Sequence, residues 1–335
     1  MRIVLISTVL VYGICLPSTA SDKPTGKQAD DTITLSFAGD VHFEGTLKPK
    51  LTPHGLDSLK SIFAHDDFSM VNLETSIGKH GKPEIKRYTF QTSPMAFQAL
   101  TNAGIDAVTM ANNHALDYGR TGLSDTLVGI SHTRIPVLGI GKNISAALDP
   151  LKLTIKNQKL SIFAFVGLDL EASTAFTWPA TTSRSGLAVW ANHKKLILKA
   201  LHKEKSAGRT VIVFTHWGAE SQACPTAQQS NIANKLVAAG ADVIVGAHPH
   251  VLEGVGTLHA ALIAYSLGNF VWYSHAGVPT GVLRVTLRAG HVIKFRIDPA
   301  IYGTDGIPHL ATGTVKRSIE KLLHTRTACS KLKSS

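Results

Sequence analysis

Charge is scarce in this 335-residue chain: Asp, Glu, Lys and Arg make up 17% of it, too little for a disordered polyampholyte. Its 28 glycines and 14 prolines are too few for a collagen-like or linker-dominated protein. There is no internal repeat, no low-complexity tract and, beyond the N-terminus, no apolar run long enough to cross a bilayer. Acids are also in deficit, 23 against 34 Lys and Arg, which leaves a formal net charge of +11. What is plentiful is apolar material, 44% of the residues, enough for a sizeable core. The length suits one large domain or two smaller ones, and no break in composition separates two.

The N-terminus reads as an export signal. Met1-Arg2 is followed by an almost unbroken apolar run from Ile3 to Leu16 and by the small residues Pro17-Ser18-Thr19-Ala20. As a helix the run spans about 21 Å, short of the roughly 30 Å hydrocarbon core, so a cleaved signal peptide, residues 1–20, is expected rather than a stable transmembrane anchor. The polar stretch 21–31 then reads as a linker. The expected location is exported: periplasmic, secreted or at the cell surface. Loss of Arg2 lowers the net charge from +11 to +10, and of 3 cysteines only Cys224 and Cys329 remain. They allow one disulfide in an oxidising compartment, provided their Cα atoms approach within about 7 Å. The basic balance suits a polyanionic partner or a basic soluble protein in general.

From Thr32 onward short β-branched runs alternate with amphipathic stretches, the pattern of βα units packed in layers. The expected strands are Ile33–Ala38, Phe68–Leu73, Asp106–Ala111, Leu160–Val166, Thr210–Thr215, Asp242–Gly246 and Ala261–Ser266. Helices are expected near 56–65, 94–103, 120–131, 190–206 and 226–239. Val282–Arg288 and His291–Ile297, joined by Ala289-Gly290, read as a β-hairpin. The basic tail from Val315 to Ser335 reads as a surface helix.

Histidines, acids and amides cluster directly after the expected strands, where α/β folds place their ligand crevices. Gly39-Asp40-Val41-His42 offers a carboxylate and an imidazole two residues apart, and Asn72-Leu73-Glu74 offers a carboxylate able to bridge two cations. In Asn112-Asn113-His114-Ala115-Leu116-Asp117, two amides, a histidine and an acid share one turn. His216 opens Trp217-Gly218-Ala219-Glu220, and His248-Pro249-His250 aims two imidazoles from a rigid turn. Singly each cluster is ordinary turn chemistry; together they point to a shared metal site.

In order and wording these clusters resemble a known family. Asp-x-His, a bridging acid, Asn-His, a lone His and His-x-His resemble the calcineurin-like metallophosphoesterases. The segments GDVHF, VNLETSI, RYTFQTSP, ANNHALDYG, VLGIGKN, FTHWGAE, VGAHPHVLEGV and YSLGNFVW are similar to capsule synthesis proteins of the CapA type, associated with poly-γ-glutamate. The resemblance covers about residues 32–275 and leaves 276–335 as a C-terminal β extension and basic tail. It implies one main α/β domain with a layered β-sandwich core flanked by helices. It places Asp40, His42 and His250 on one metal, Asn113, His216 and His248 on the other, and Glu74 between them. His114 becomes proton donor or charge stabiliser, oriented by Asp117. Glu74 stands where the phosphoesterases carry a Gly-Asp pair, and many capsule-branch members lack the second ligand of the first cluster, present here as His42.

Two divalent cations of the Mn, Zn or Fe kind would activate water and neutralise charge on an ester, which implies a hydrolase. Arg87, Tyr88, Trp217 and Glu220 are expected on the substrate side. The implied partners are an anionic cell-envelope polymer such as poly-γ-glutamate and a membrane polymer synthase or ligase. The alternative is a non-catalytic polyanion-binding protein that assists polymer assembly or export. No nucleic acid is expected, since no aromatic-basic strand-binding motif or groove-reading helix is present.

Overall fold

Fully apolar runs in this chain become parallel strands covered on both faces, and alternating runs become antiparallel strands at the sheet margins. The computed structural model describes residues 31–169, 178–273 and 276–334. The expected signal peptide and all but the last residue of the expected linker lie outside them. In chain order the strands of the two large sheets are β1 (Ile33–Val41), β2 (Phe68–Leu73), β3 (Ala107–Thr109), β4 (Val137–Leu138), β5 (Leu151–Ile155), β6 (Gln158–Val166) and β7 (Thr210–His216). They continue as β8 (Val243–Ala247), β9 (Val255–Leu258), β10 (Ala261–Ala264), β11 (Asn269–Val271), β12 (Pro279–Arg288), β13 (His291–Tyr302) and β14 (Pro308–Leu310). The longer helices are α1 (Met95–Asn102), α2 (Gly119–Ser131), α3 (Trp190–Ser206), α4 (Ala227–Ala238) and α5 (Gly313–Cys329).

The first sheet runs β14-β13-β12-β1-β2-β3-β4, with β11 also paired to β1. The second runs β9-β10-β8-β7-β6-β5. The hairpin β12–β13 therefore completes the first sheet through antiparallel pairing of β12 with β1. Alternation explains the layering. In β7, Ile212 and Phe214 enter a core shared with Leu35 and Phe37 of the first sheet, while Val211 and Val213 face Ile197 and Leu201 of α3 and Ile232 and Leu236 of α4. The result is an α/β layered fold with its two sheets packed on a common core.

The expected strands and helices are present with small shifts at their ends; around 56–65 only 3₁₀ turns and the four-residue helix Lys60–Phe63 form. Helix α4 begins with a capping box: Thr226 Oγ1 accepts from Gln229 N–H at 3.1 Å, and Gln229 Oε1 accepts from Thr226 N–H at 2.7 Å. A disulfide joins Cys224 to Cys329 with Cα atoms 5.8 Å apart, tying the end of α5 to the loop before α4. No helix of the described residues is long and apolar enough to cross a membrane.

Parallel pairing sets the register of the strand ends. Asp40 lies beside Asn72 and Asn72 beside Thr109, while His216 lies beside Ala247, the residue before His248. At the end of β1 a Cβ on Gly39 would sit 1.6 Å from the Gly268 carbonyl oxygen, so only glycine lets these two chains approach.

Candidate metal centre

Five loops that follow strand ends converge at one edge of the stacked sheets. Asp40 and Glu74 are fully buried, His216 is 1% exposed and His248 7% exposed. The ligand atoms of Glu74, His248 and His250 lie within 4.8 Å of one another, and those of Asp40, Glu74 and His216 do the same. Glu74 belongs to both triads, and neither of its buried carboxylate oxygens has a hydrogen-bond partner among the described residues. Buried carboxylates normally take hydrogen bonds or a cation, so these orphaned oxygens fit a bridging position between two divalent ions.

Amides fasten the ligands. Asn72 Nδ2 donates to Asp40 Oδ1 at 2.7 Å and lies 3.2 Å from His216 Nδ1. Asn112 donates in turn to Asn72 Oδ1 at 3.0 Å and to the Leu73 carbonyl at 2.9 Å. His216 Nε2 lies 2.8 Å from Asn113 Oδ1, 3.1 Å from His248 Nδ1 and 3.6 Å from Glu74 Oε1. His250 Nδ1 lies 2.6 Å from Asn269 Oδ1 and 3.4 Å from Asp40 Oδ2. The His-Pro-His turn is bent to achieve this. His248 has φ +98° and His250 φ +59°, both in the left-handed region that costs a non-glycine residue roughly 1–3 kcal/mol. The turn also brings the His248 N–H to 3.2 Å from Asp40 Oδ2.

A second group borders the triads. His114 Nδ1 is 2.6 Å from Asp117 Oδ2, and its Nε2 lies 3.7 Å from Glu74 Oε1. Lys86 donates to Asp117 Oδ1 at 2.7 Å and to the Asn113 carbonyl at 2.5 Å, and the Phe90 N–H donates to Asp117 Oδ2 at 2.6 Å. The Phe90 ring stacks on His114 at 4.2 Å and on His42 at 4.8 Å between centroids.

Burial governs the electrostatics. It lifts the Glu74 carboxyl well above its usual range, with neighbouring Asp40 adding to the rise. It holds His42 and His216 well below the usual imidazole range, and with His250 nearby it takes His248 down to about 3. His250 goes the other way. Burial opposes its charge, but the hydrogen bond to Asp40 and the charge of Glu74 raise it to about 10.

Residues 34–274 match the family described as bacterial capsule synthesis protein PGA_cap. The chain belongs to this family. It is 29% identical over 270 residues to the PGA biosynthesis protein CapA of Bacillus subtilis (strain 168), covering 79% of this chain and 70% of that protein. It is 25% identical over 280 residues to the capsule biosynthesis protein CapA of Bacillus anthracis, covering 80% of this chain and 66% of that one. A solved structure of a hypothetical protein from Thermus thermophilus matches with a TM-score of 0.51 at 14% identity, over 81% of this chain and 99% of the other, a likeness of fold alone. The family is consistent with the metallophosphoesterase resemblance of the motifs.

Members of both implied sets lie close together: His250 is beside Asp40, and Asn113, His216 and His248 adjoin one another. Glu74 is common to both donor triads, and His42 is in neither. On the expected substrate side, exposed Arg87 stacks on Tyr88, 5.0 Å from guanidinium carbon to ring centroid. Both line a surface cleft of about 360 Å³ with Glu44, Phe90 and Tyr273. Glu220 is exposed on the loop after β7. Trp217 corrects the expectation of a pocket wall: it is fully buried in the helix-side core, donating to the Tyr265 carbonyl at 2.8 Å. Asn269 and Lys86 escaped sequence reasoning as site residues, and Asn72 and Asn112, though within the strand-end clusters, were given no role. Only the strand-end position of the three amides carried a signal; Lys86 arrives from a remote loop.

Proposed function

We propose that the chain is an exported capsule synthesis protein whose strand-end site holds two divalent metal ions and hydrolyses a bond in, or acts upon, an anionic cell-envelope polymer such as poly-γ-glutamate. The observation that carries this reading is Glu74, fully buried, shared by two donor triads and left with both oxygens unpartnered among the described residues. The relatives named for PGA and capsule biosynthesis support the substrate class. Two divalent cations bound there supply water activation and charge neutralisation. The protein's own part is orientation. Asp40 and His216 are fixed through Asn72, and His248 and His250 through their bent turn. Asp117, itself held by Lys86, accepts from His114 Nδ1–H and keeps Nε2 turned toward Glu74, where the ring, once protonated on Nε2, can deliver that proton to a departing group. The cleft with Arg87 and Tyr88 offers a cation and an aromatic face to an anionic chain. An extracytoplasmic membrane synthase or ligase is the partner this role requires.

The test is the metal content of residues 21–335 purified beside the double variant His248→Ala, His250→Ala. About two equivalents of Mn, Zn or Fe in the wild type and their loss in the variant support the reading, and screening of phosphoesters and γ-glutamyl polymers follows. A wild type that stays metal-free after incubation with Mn and Zn refutes the metal centre. One observation favours a second, non-catalytic reading as a polyanion binder: Lys195, Lys199 and Lys203 repeat every fourth residue along the exposed face of α3. Polymer binding that is unchanged at high salt overturns that alternative.

A further inference from the structure

His42 has the wrong surroundings for a ligand. Its Nδ1 accepts the Glu44 backbone N–H at 3.0 Å, and Nε2, buried, has no hydrogen-bond partner among the described residues. A neutral imidazole whose Nδ1 accepts carries its proton on Nε2. Histidines that bind metal through one nitrogen use the other to donate to a carboxylate, carbonyl or water, and here that second nitrogen meets a donor instead. Asn72, which faces His216 Nδ1, is a side-chain amide that can turn; the Glu44 N–H is fixed by the backbone. The walls around His42 are rings. Phe90 stacks on it at 4.8 Å with planes 14° apart, and Trp272 and Tyr273 meet it edge-on at 4.1 and 4.5 Å. On its other face Phe90 stacks on His114 at 4.2 Å with planes 21° apart.

We propose that His42 is not a metal ligand but a positioning residue, the outer ring of a His42–Phe90–His114 stack that holds the His114 imidazole against Glu74. The proposal rests on reading the site as a metal centre, and it removes one donor from the set that the motif order implies. The stack gives His114 two constraints: Asp117 fixes the nitrogen that faces away from Glu74, and Phe90, backed by His42, fixes the plane of the ring. An imidazole at the outer position supplies what phenylalanine would, a flat face, plus an acceptor for the Glu44 N–H.

Three measurements test this. Nitrogen magnetic resonance of wild-type protein labelled at histidine reads the two ring nitrogens of His42 directly, first in chelator and then with Mn²⁺ replaced by diamagnetic Zn²⁺. The expected result is a bare Nδ1 and a protonated Nε2 in both; an Nε2 that loses its proton on loading, or a protonated Nδ1 in chelator, overturns the proposal. Elemental analysis of His42→Phe and His42→Ala should find the same metal content as the wild type, and loss of one equivalent in both overturns it. Kinetics on a chromogenic phosphodiester should show His42→Ala about tenfold lower in kcat with KM nearly unchanged, and His42→Phe recovering most of that loss. Equal losses in the two variants overturn the positioning role. A metal-free wild type refutes the metal centre itself, while the chelator spectrum still decides whether the His42 nitrogens are arranged as described.

Discussion

Glu253 is a buried acid outside the metal centre, and its charge sets a pH dependence that can be measured. It is fully buried; Oε2 accepts from Gln229 Nε2 at 2.7 Å, and Oε1 has no partner among the described residues. Burial raises its carboxyl from 4.5 to about 7, although Gln229 and Arg326 pull it down. For an acid raised in the folded state, the native protein binds the proton more tightly than the unfolded chain. Stability is therefore greatest below pH 4.5, falls as pH rises toward 7 and is level above. A rise of this size corresponds to about 3 kcal/mol. Glu253→Gln keeps a carbonyl for Gln229 but buries an unpaired amide, at a cost of about 1–3 kcal/mol that is independent of pH. The variant should be less stable than wild type at about pH 4 and equal or more stable at about pH 8. Urea unfolding at both pH values gives the stability difference, and that difference should move by about 3 kcal/mol in the variant's favour. A difference that stays constant within about 0.5 kcal/mol refutes the buried, ionising Glu253.

Three further outcomes follow from buried groups. In chelator, Glu74→Gln should gain stability relative to wild type as pH rises, because burial beside Asp40 raises the Glu74 carboxyl and the variant has no charge to desolvate; on adding Mn²⁺ only the wild type should gain stability. Reducing the Cys224–Cys329 bridge, which spans 105 residues, should cost about 4 kcal/mol, read from unfolding with and without dithiothreitol. Arg284 contacts Asp66, Asp298, Ser36 and the Ile62 carbonyl, so Arg284→Met leaves two carboxylates without their shared cation. A loss of about 3–5 kcal/mol is expected, and calorimetric unfolding within about 1 kcal/mol of wild type would contradict it.

The parts of the fold legible in the sequence are those where period and composition agree. Val211-Ile212-Val213-Phe214 announces a strand because both faces are covered, and α3 is visible because Ile197 and Leu201 recur on one side while lysines occupy the other. The outer strand β5, Leu-Lys-Leu-Thr-Ile, alternates apolar and polar residues, a period-2 signal carried over only five residues, and strands as short as β4 and β11 are fixed by their neighbours. Position at strand ends revealed Asp40, Glu74, His216 and the His-Pro-His turn. What the sequence could not convey was pairing between elements. That Asn72 would bind Asp40 depends on the β1–β2 register, and that Lys86 would reach Asp117 depends on how its loop folds back. His42 shows the limit most sharply. Asp-x-His has the spacing of a ligand pair, yet the Glu44 N–H takes one nitrogen and aromatic rings surround the rest.

The centre gathers several departures from ordinary folding rules at adjoining atoms. Two histidines take left-handed backbone conformations, the buried carboxylate of Glu74 keeps no hydrogen bond among the described residues, and imidazoles crowd at 3.1 Å. Each backbone strain costs roughly 1–3 kcal/mol, and sites that persist at such cost are those where the surrounding structure holds them for a purpose. Here the holding structure is visible: the Asn112–Asn72–Asp40 chain on one side and the Lys86–Asp117–His114 chain on the other. Both end on groups that face Glu74 or share its triads. A cation bound between them would offset the cost directly, adding about 2.7 kcal/mol of stability at one hundred times its dissociation constant. Chelation should therefore loosen this edge of the sheets first, with hydrogen exchange rising at Glu74, His216 and His248 while β6 and the middle of β7 stay protected. Uniform exchange across both sheets on chelation would mean that the cation does not bear on this strained edge.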